Sequence, residues 1–219
     1  MFKAWSRSAV VLALAALPTV SQATPILISG SGPLGSFTGT FDYDPSTFKV
    51  DIELTNTSPL LNGGFITAFV FNIPEGVTVT AATLLSSDAD FGVLGGPGFS
   101  NGVNGAPFGQ FDIGASTGGS FEGGGNPSLG IAVGVTNTFS FSLTGTGLGS
   151  LSPADFLGSL SVAPGDGKGH EDLVVRFRGF EDGGSDKVPN ENVPEPSVVL
   201  LLGLGMIGVW ARRLSPNRR

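Results

Sequence analysis

Phe48-Lys49-Val50-Asp51-Ile52-Glu53-Leu54-Thr55 is the stretch on which the fold is read. Its apolar side chains occupy every second residue, with lysine, acids and threonine between them. A strand turns successive side chains to opposite faces, so this period of two describes a strand with one buried and one wet face. Outward from here the pattern returns. Phe139, Phe141 and Leu143 alternate with Thr138, Ser140, Ser142 and Thr144, and Leu173, Val175 and Phe177 alternate with Val174, Arg176 and Arg178. Residues 65–73 (Phe-Ile-Thr-Ala-Phe-Val-Phe-Asn-Ile) are apolar on both faces, as a central strand is. Val77, Val79 and Ala81 resume an alternation after a turn at Pro74-Glu75-Gly76. Shorter strands are expected over 25–29, 36–42, 109–113 and 129–135. Many short strands divided by Gly, Pro, Asn and Asp turns predict an all-β domain, a β-sandwich or jelly roll.

One short helix is expected within it. Ser152 is placed as an N-cap, Pro153 suits the first helical position, and Asp155 favours the positive end of the helix dipole. Phe156, Leu157 and Leu160 then face the core. Residues 92–130 read differently, with fourteen glycines and three prolines. They are expected as a long loop over the sandwich, a mobile one by the entropy of its glycines. Phe99, Phe108, Phe111 and Phe121 work against full disorder, because they favour burial.

The 219 residues suffice for one domain and are short for two. Cysteine is absent, so no disulfide, thiolate nucleophile or cysteine-based zinc site exists. The formal net charge is −7, and it is unevenly spread. Residues 24–192 hold seventeen acidic side chains against five basic ones (Lys49, Lys168, Arg176, Arg178 and Lys187), a net charge of −12. Such a surface repels nucleic acid, which excludes that class of partner.

Both ends of the chain carry traffic signals. Lys3 and Arg7 precede nine unbroken apolar residues, Ala9–Leu17, and Ser21-Gln22-Ala23 places small residues at the −3 and −1 positions of a cleavage site. A basic start, a short apolar run and a small exit make a secretory signal peptide over 1–23, cut after Ala23 by signal peptidase once the translocon has engaged it. At the other end, Val193-Pro194-Glu195-Pro196-Ser197 precedes an apolar stretch over 198–211, and Arg212, Arg213, Arg218 and Arg219 close the chain. As a helix, that stretch reaches about 21 Å, short of a hydrocarbon core of roughly 30 Å. It is expected as a strained, transient span of the inner membrane, with Arg212 and Arg213 on the cytoplasmic side. Pro194 and Pro196 keep Glu195 extended, the shape a protease accepts.

The run Val-Pro-Glu-Pro-Ser, an apolar glycine-containing helix and a terminal arginine cluster together resemble the PEP-CTERM sorting signal. The resemblance covers about residues 193–219. It implies recognition of Pro194, Glu195 and Pro196 by exosortase, a membrane-embedded cysteine protease, and a Gram-negative host that makes extracellular polysaccharide. It implies nothing about the acidic β-domain over 24–192, because such proteins share the tail and differ in what precedes it.

Several matches to catalytic patterns fail on context. Gly30-Ser31-Gly32-Pro33-Leu34-Gly35 fits a dinucleotide-binding fingerprint, but Ser36–Tyr43 reads as a strand where that chemistry needs a helix. Gly98-Phe99-Ser100-Asn101-Gly102 and Gly114-Ala115-Ser116-Thr117-Gly118 fit a nucleophile elbow, and neither precedes a helix. His170 is the sole histidine, with Asp155 or Asp166 as paper partners for a triad. Lys168 has no phosphate-binding glycine at the required spacing. Carboxylates gather at Asp42/Asp44, at Asp88/Asp90, at Asp166/Glu171/Asp172 and at Glu181/Asp182/Asp186, oxygen ligands of the kind that bind Ca²⁺ weakly. No other cofactor is expected. The expected function is therefore a non-enzymatic surface or matrix protein associated with exopolysaccharide or biofilm. The alternative is a carbohydrate-binding module, for which Tyr43 is the only Trp or Tyr of the body.

Overall fold

The structure is a computed structural model that describes residues 24–96, 98–123, 125–162 and 170–191. Ala23, Asp166, Lys168, Pro194, Glu195, Pro196, the 198–211 stretch, Arg212 and Arg213 lie outside the described residues.

In chain order the strands are β1 (Ile26–Ser31), β2 (Ser36–Asp44), β3 (Lys49–Asn56), β4 (Gly63–Phe71), β5 (Thr78–Ser86), β6 (Gly92–Leu94), β7 (Val103–Asn104), β8 (Gln110–Phe111), β9 (Ile113–Ser116), β10 (Ile131–Ala132), β11 (Thr136–Thr146), β12 (Leu173–Phe180) and β13 (Ser185–Pro189). Helix α1 spans Pro153–Leu157. One sheet runs β1-β2-β3-β11-β5, and the second runs β13-β12-β4-β9-β6 with β10 also paired to β4. Every pairing is antiparallel. The domain is an all-β sandwich, as the alternation predicts.

Period-two patterning places the core between the sheets. Val50, Ile52 and Leu54 of β3 point inward beside Phe139, Phe141 and Leu143 of β11, and all six are buried. Phe41 of β2, Phe71 of β4, Phe141 of β11 and Phe156 of α1 meet at its centre. Phe71 lies 5.5 Å from Phe41, 5.4 Å from Phe141 and 6.5 Å from Phe156, each edge to face. That geometry sets the positive ring edge on the negative face, and adds to what burial alone contributes. Strand β4 is buried on both sides from Ala68 to Phe71, which makes it the central strand expected from 65–73.

One flank of the sandwich is closed by backbone approach. Glu191 N–H donates to Ser29 O at 2.8 Å, which ties the end of β13 to β1. A Cβ on Gly30 would lie 2.2 Å from Pro189 O, so only glycine permits this approach.

Four expectations are corrected. Phe48, read as the first inward residue of its strand, sits in the β2–β3 turn at φ 56° and is exposed, because the chain reverses over Pro45-Ser46-Thr47. Ala81, read as inward, is exposed, because the β5–β11 register shifts between Thr144 and Gly145 and inverts the alternation beyond it. Leu160, read as core-facing, is 57% exposed, because α1 stops at Leu157 against Gly158. The fourth is the 92–130 segment. It does lie over the sandwich, yet Ile113–Ser116 of it enters the second sheet as β9, and Gln110–Phe111 pairs with Val103–Asn104. The helix cap also differs in detail: the Ser152 backbone N–H and hydroxyl both donate to Asp155 Oδ2, each at 2.7 Å.

Candidate functional site

The outer face of the second sheet carries a feature that alternation misreads. Val174 and Arg176 of β12 point away from the main core, where a wet face is expected. Both are buried. Ala68, Val70 and Val174 instead form a second apolar cluster with Leu94, Val103, Phe111 and Phe121 of the glycine-rich segment. That segment is thus a third layer. Arg176 Nη1 donates to Phe121 O at 2.6 Å and lies 3.7 Å from Glu122 Oε2. Lys187 Nζ reaches Glu122 Oε1 at 2.5 Å and donates to Ala106 O. Arg178 Nη1 donates to Gly125 O at 3.3 Å. Three of the five basic residues of the body therefore pin the third layer. Burial holds the Arg176 guanidinium below its usual range, an effect Glu122 opposes. The one signal for this in the sequence is Val174, an apolar residue on a face otherwise read as wet.

Glu122→Ala removes the anion shared by these cations. It is expected to cost about 1–3 kcal/mol, since a buried cation loses its counter-charge but Lys187 and Glu122 keep contact with water. Amide exchange should accelerate first in residues 98–123. An equal rise throughout the sandwich would show that Glu122 does not pin that layer.

Beside the third layer runs an open groove of about 830 Å³. Its walls include Asn72, Phe99, Ser100, Asn101, Asp112 and Asp155. Asp112 braces it, accepting from Ile73 N–H at 2.8 Å and Asn101 N–H at 2.6 Å. Phe99 and Asn101 hold left-handed backbone at φ 38° and 50°, a strain that asparagine bears more easily than phenylalanine.

Of the candidate catalytic residues, Ser116, His170 and Asp155 are committed elsewhere. Ser100 lines the groove, but His170 does not; its Nδ1 lies 2.8 Å from Ser161 O. Asp155, the described triad partner, is engaged at the helix cap. Ser116 is buried on β9, donates to Ser120 O at 2.9 Å and accepts from Gly118 N–H at 2.9 Å. Gly30–Gly35 spans the β1–β2 turn, and Ser36–Asp44 follows as a strand.

The carboxylates are mostly used as turn acceptors. Asp44 accepts from Ser46 N–H, Ser46 Oγ and Thr47 Oγ1, which lowers its carboxyl to about 2. Asp88 accepts from Asp90 N–H at 3.0 Å and Asn137 Nδ2 at 3.1 Å. Asp186 Oδ2 accepts from Leu34 and Gly35 N–H at 2.9 and 3.0 Å, and so belongs to the β1–β2 turn rather than to a cluster with Glu181 and Asp182. Among the described residues no three His, Cys, Asp or Glu side chains converge as metal ligands. Tyr43 is 1% exposed, and its hydroxyl donates to Leu148 O at 2.9 Å. Burial first, then the Asp44 charge, pushes that hydroxyl up to about 12. The ring packs at a tilt against Phe156 in the core, with centroids 4.9 Å apart, and presents no face to a sugar.

Beyond the last described residue, Glu191, the chain continues as Asn192-Val193-Pro194-Glu195-Pro196. Residues 192–219 match the family model of the PEP-CTERM protein-sorting motif. The PEP-CTERM tail marks an exosortase-sorted protein, exported to the surface or exterior of a Gram-negative bacterium. It says nothing of the sandwich before it. No curated protein and no solved structure matches the chain. Among the described residues no helix is long and apolar enough to cross a membrane.

Proposed function

We propose that this protein is a non-catalytic component of the cell surface or extracellular matrix, held in the exopolysaccharide layer of its host after sorting. The observation that carries the reading is the PEP-CTERM tail, joined to a body of net charge −12. The commitment of Ser116, His170 and Asp155 to internal bonds supports the non-enzymatic part. In this reading the translocon exports the chain and signal peptidase cuts after Ala23. The 198–211 stretch then holds the protein in the inner membrane, with Arg212 and Arg213 on the cytoplasmic side. An exosortase-like protease recognises Pro194-Glu195-Pro196 and releases the acidic body outward.

Intact-mass analysis of protein from cells and culture fluid of the native host tests this. The expected species starts at Thr24 and ends within Val193–Ser197, and Glu195→Ala retains the tail. A wild-type species that keeps Arg219 would reduce the tail to a plain membrane anchor and remove the main support for a matrix role.

A further inference from the structure

Sheet edges are sites of self-association unless a fold blunts them, and three of the four edges here are blunted. Strand β13 carries Asp186, Lys187 and Pro189. Strand β1 is tied to the chain end past β13 through Ser29 O and Glu191 N–H. Strand β6 is three residues long. Strand β5 is the exception. It forms the edge of the five-stranded sheet over nine residues, Thr-Val-Thr-Ala-Ala-Thr-Leu-Leu-Ser, with no charge, proline or glycine.

The register shows which backbone groups β5 offers. Ser87 N–H donates to Thr138 O at 2.9 Å, so the odd-numbered residues Leu85, Thr83 and Ala81 bond to β11. In an antiparallel ladder the alternate residues turn their N–H and C=O the other way. Those of Ala82, Leu84 and Ser86 therefore face out from the sheet. Thr83 and Leu85 are exposed on its outer surface, Leu85 at 75%.

We infer that β5 is a self-association edge whose occupant is β5 of a second copy of this chain, paired antiparallel about a two-fold axis at Leu84. The bonding pattern is self-complementary. With Leu84 opposite Leu84 of the second copy, Ala82 falls opposite Ser86, and every outward N–H meets an outward C=O. Leu85 then lies across from Thr83 of the second copy, in the close non-hydrogen-bonded position where side chains touch. The two five-stranded sheets become one. Net charge opposes the association of two copies, since each body carries −12, but β5 is a long strip that adds no charge of its own to that repulsion. A single strand pair covers little area, so the dimer is weak and depends on concentration. The interface is isologous and closes at two copies.

The test is sedimentation equilibrium on the mature protein as the host exports it, across a concentration series. A monomer–dimer equilibrium that tightens with added salt is expected, because salt screens the net repulsion. Thr83→Lys with Leu85→Lys sets lysine opposite lysine across the axis and should weaken the dimer about tenfold or more. Both side chains are exposed, so the fold survives. Ala82→Pro removes an outward donor without touching the β11 ladder and should weaken it similarly. Leu60→Lys with Leu61→Lys makes the same charge change at two residues 84% and 92% exposed in the β3–β4 connection, and should leave the dimer intact. A monomer at every concentration, a dimer indifferent to the Thr83/Leu85 pair, or one broken equally by the Leu60/Leu61 pair would overturn the inference.

Discussion

Phe71→Ala is expected to cost about 3–5 kcal/mol, read as a lowered urea midpoint. Phe71 is fully buried at the point where both sheets and the helix converge. Its ring touches Phe41 from β2, Phe141 from β11 and Phe156 from α1, so truncation removes contacts in three directions at once. Those neighbours are themselves held by strand ladders and by the capped helix, so they relax only partly and leave a cavity. Without a disulfide, packing has to hold the fold, and domains of this kind have only about 5–15 kcal/mol in hand. The variant should therefore melt far below the wild type. Leu61→Ala, at a site 92% exposed in the β3–β4 connection, is the comparison and should change stability by less than about 0.5 kcal/mol. Equal losses at the two sites would refute the placement of the core.

The second large effect is a loss of stability as pH rises from about 4 to about 6. Burial pushes the Asp172 carboxyl from 3.8 up to about 6, although Asn190 Nδ2 and Leu173 N–H donate to it at 3.0 and 2.6 Å. The folded state then holds a proton that the unfolded chain has already released. The contribution is fully present below pH 4, declines through the window and is gone above pH 6. Two pH units correspond to about 3 kcal/mol, as an order of magnitude. Glu171 beside it is also raised by burial and adds in the same direction. Asp44 is lowered, so its contribution runs oppositely and is confined to more acid solution, between about 2 and 4. Urea midpoints at intervals from pH 4 to 7 would show the decline. In Asp172→Asn most of that slope should disappear; an unchanged slope would assign the effect to other groups. Asn190 also accepts from Ser29 N–H at 3.2 Å, so the loss should appear first as loosening of the β1–β13 flank.

Much of the architecture was legible residue by residue. The alternation in Val50–Leu54 and in Phe139–Leu143 named the inward faces of β3 and β11. The doubly apolar 65–73 run named the central strand. These are local signals, because a strand's two faces are written into neighbouring residues. The sorting tail over 192–219 is local in the same sense: a linear motif carries its meaning in composition and order.

What the sequence could not decide depends on which chain segments lie on top of one another. Phe48 and Ala81 obey the alternation on paper and break it in space, because a left-handed turn residue and a register shift change the phase without changing the pattern. Arg176 looks like a wet-face residue until the glycine-rich segment, distant in sequence, folds over it and supplies Phe121 and Glu122 as partners. The acids at 181–186 look like one cluster until Asp186 turns to the β1–β2 loop. Local patterning determined an all-β sandwich followed by a sorting tail. The third layer over the second sheet and the open edge at β5 were decided only by tertiary structure, since burial and edge exposure are properties of neighbours that the chain brings together from far apart.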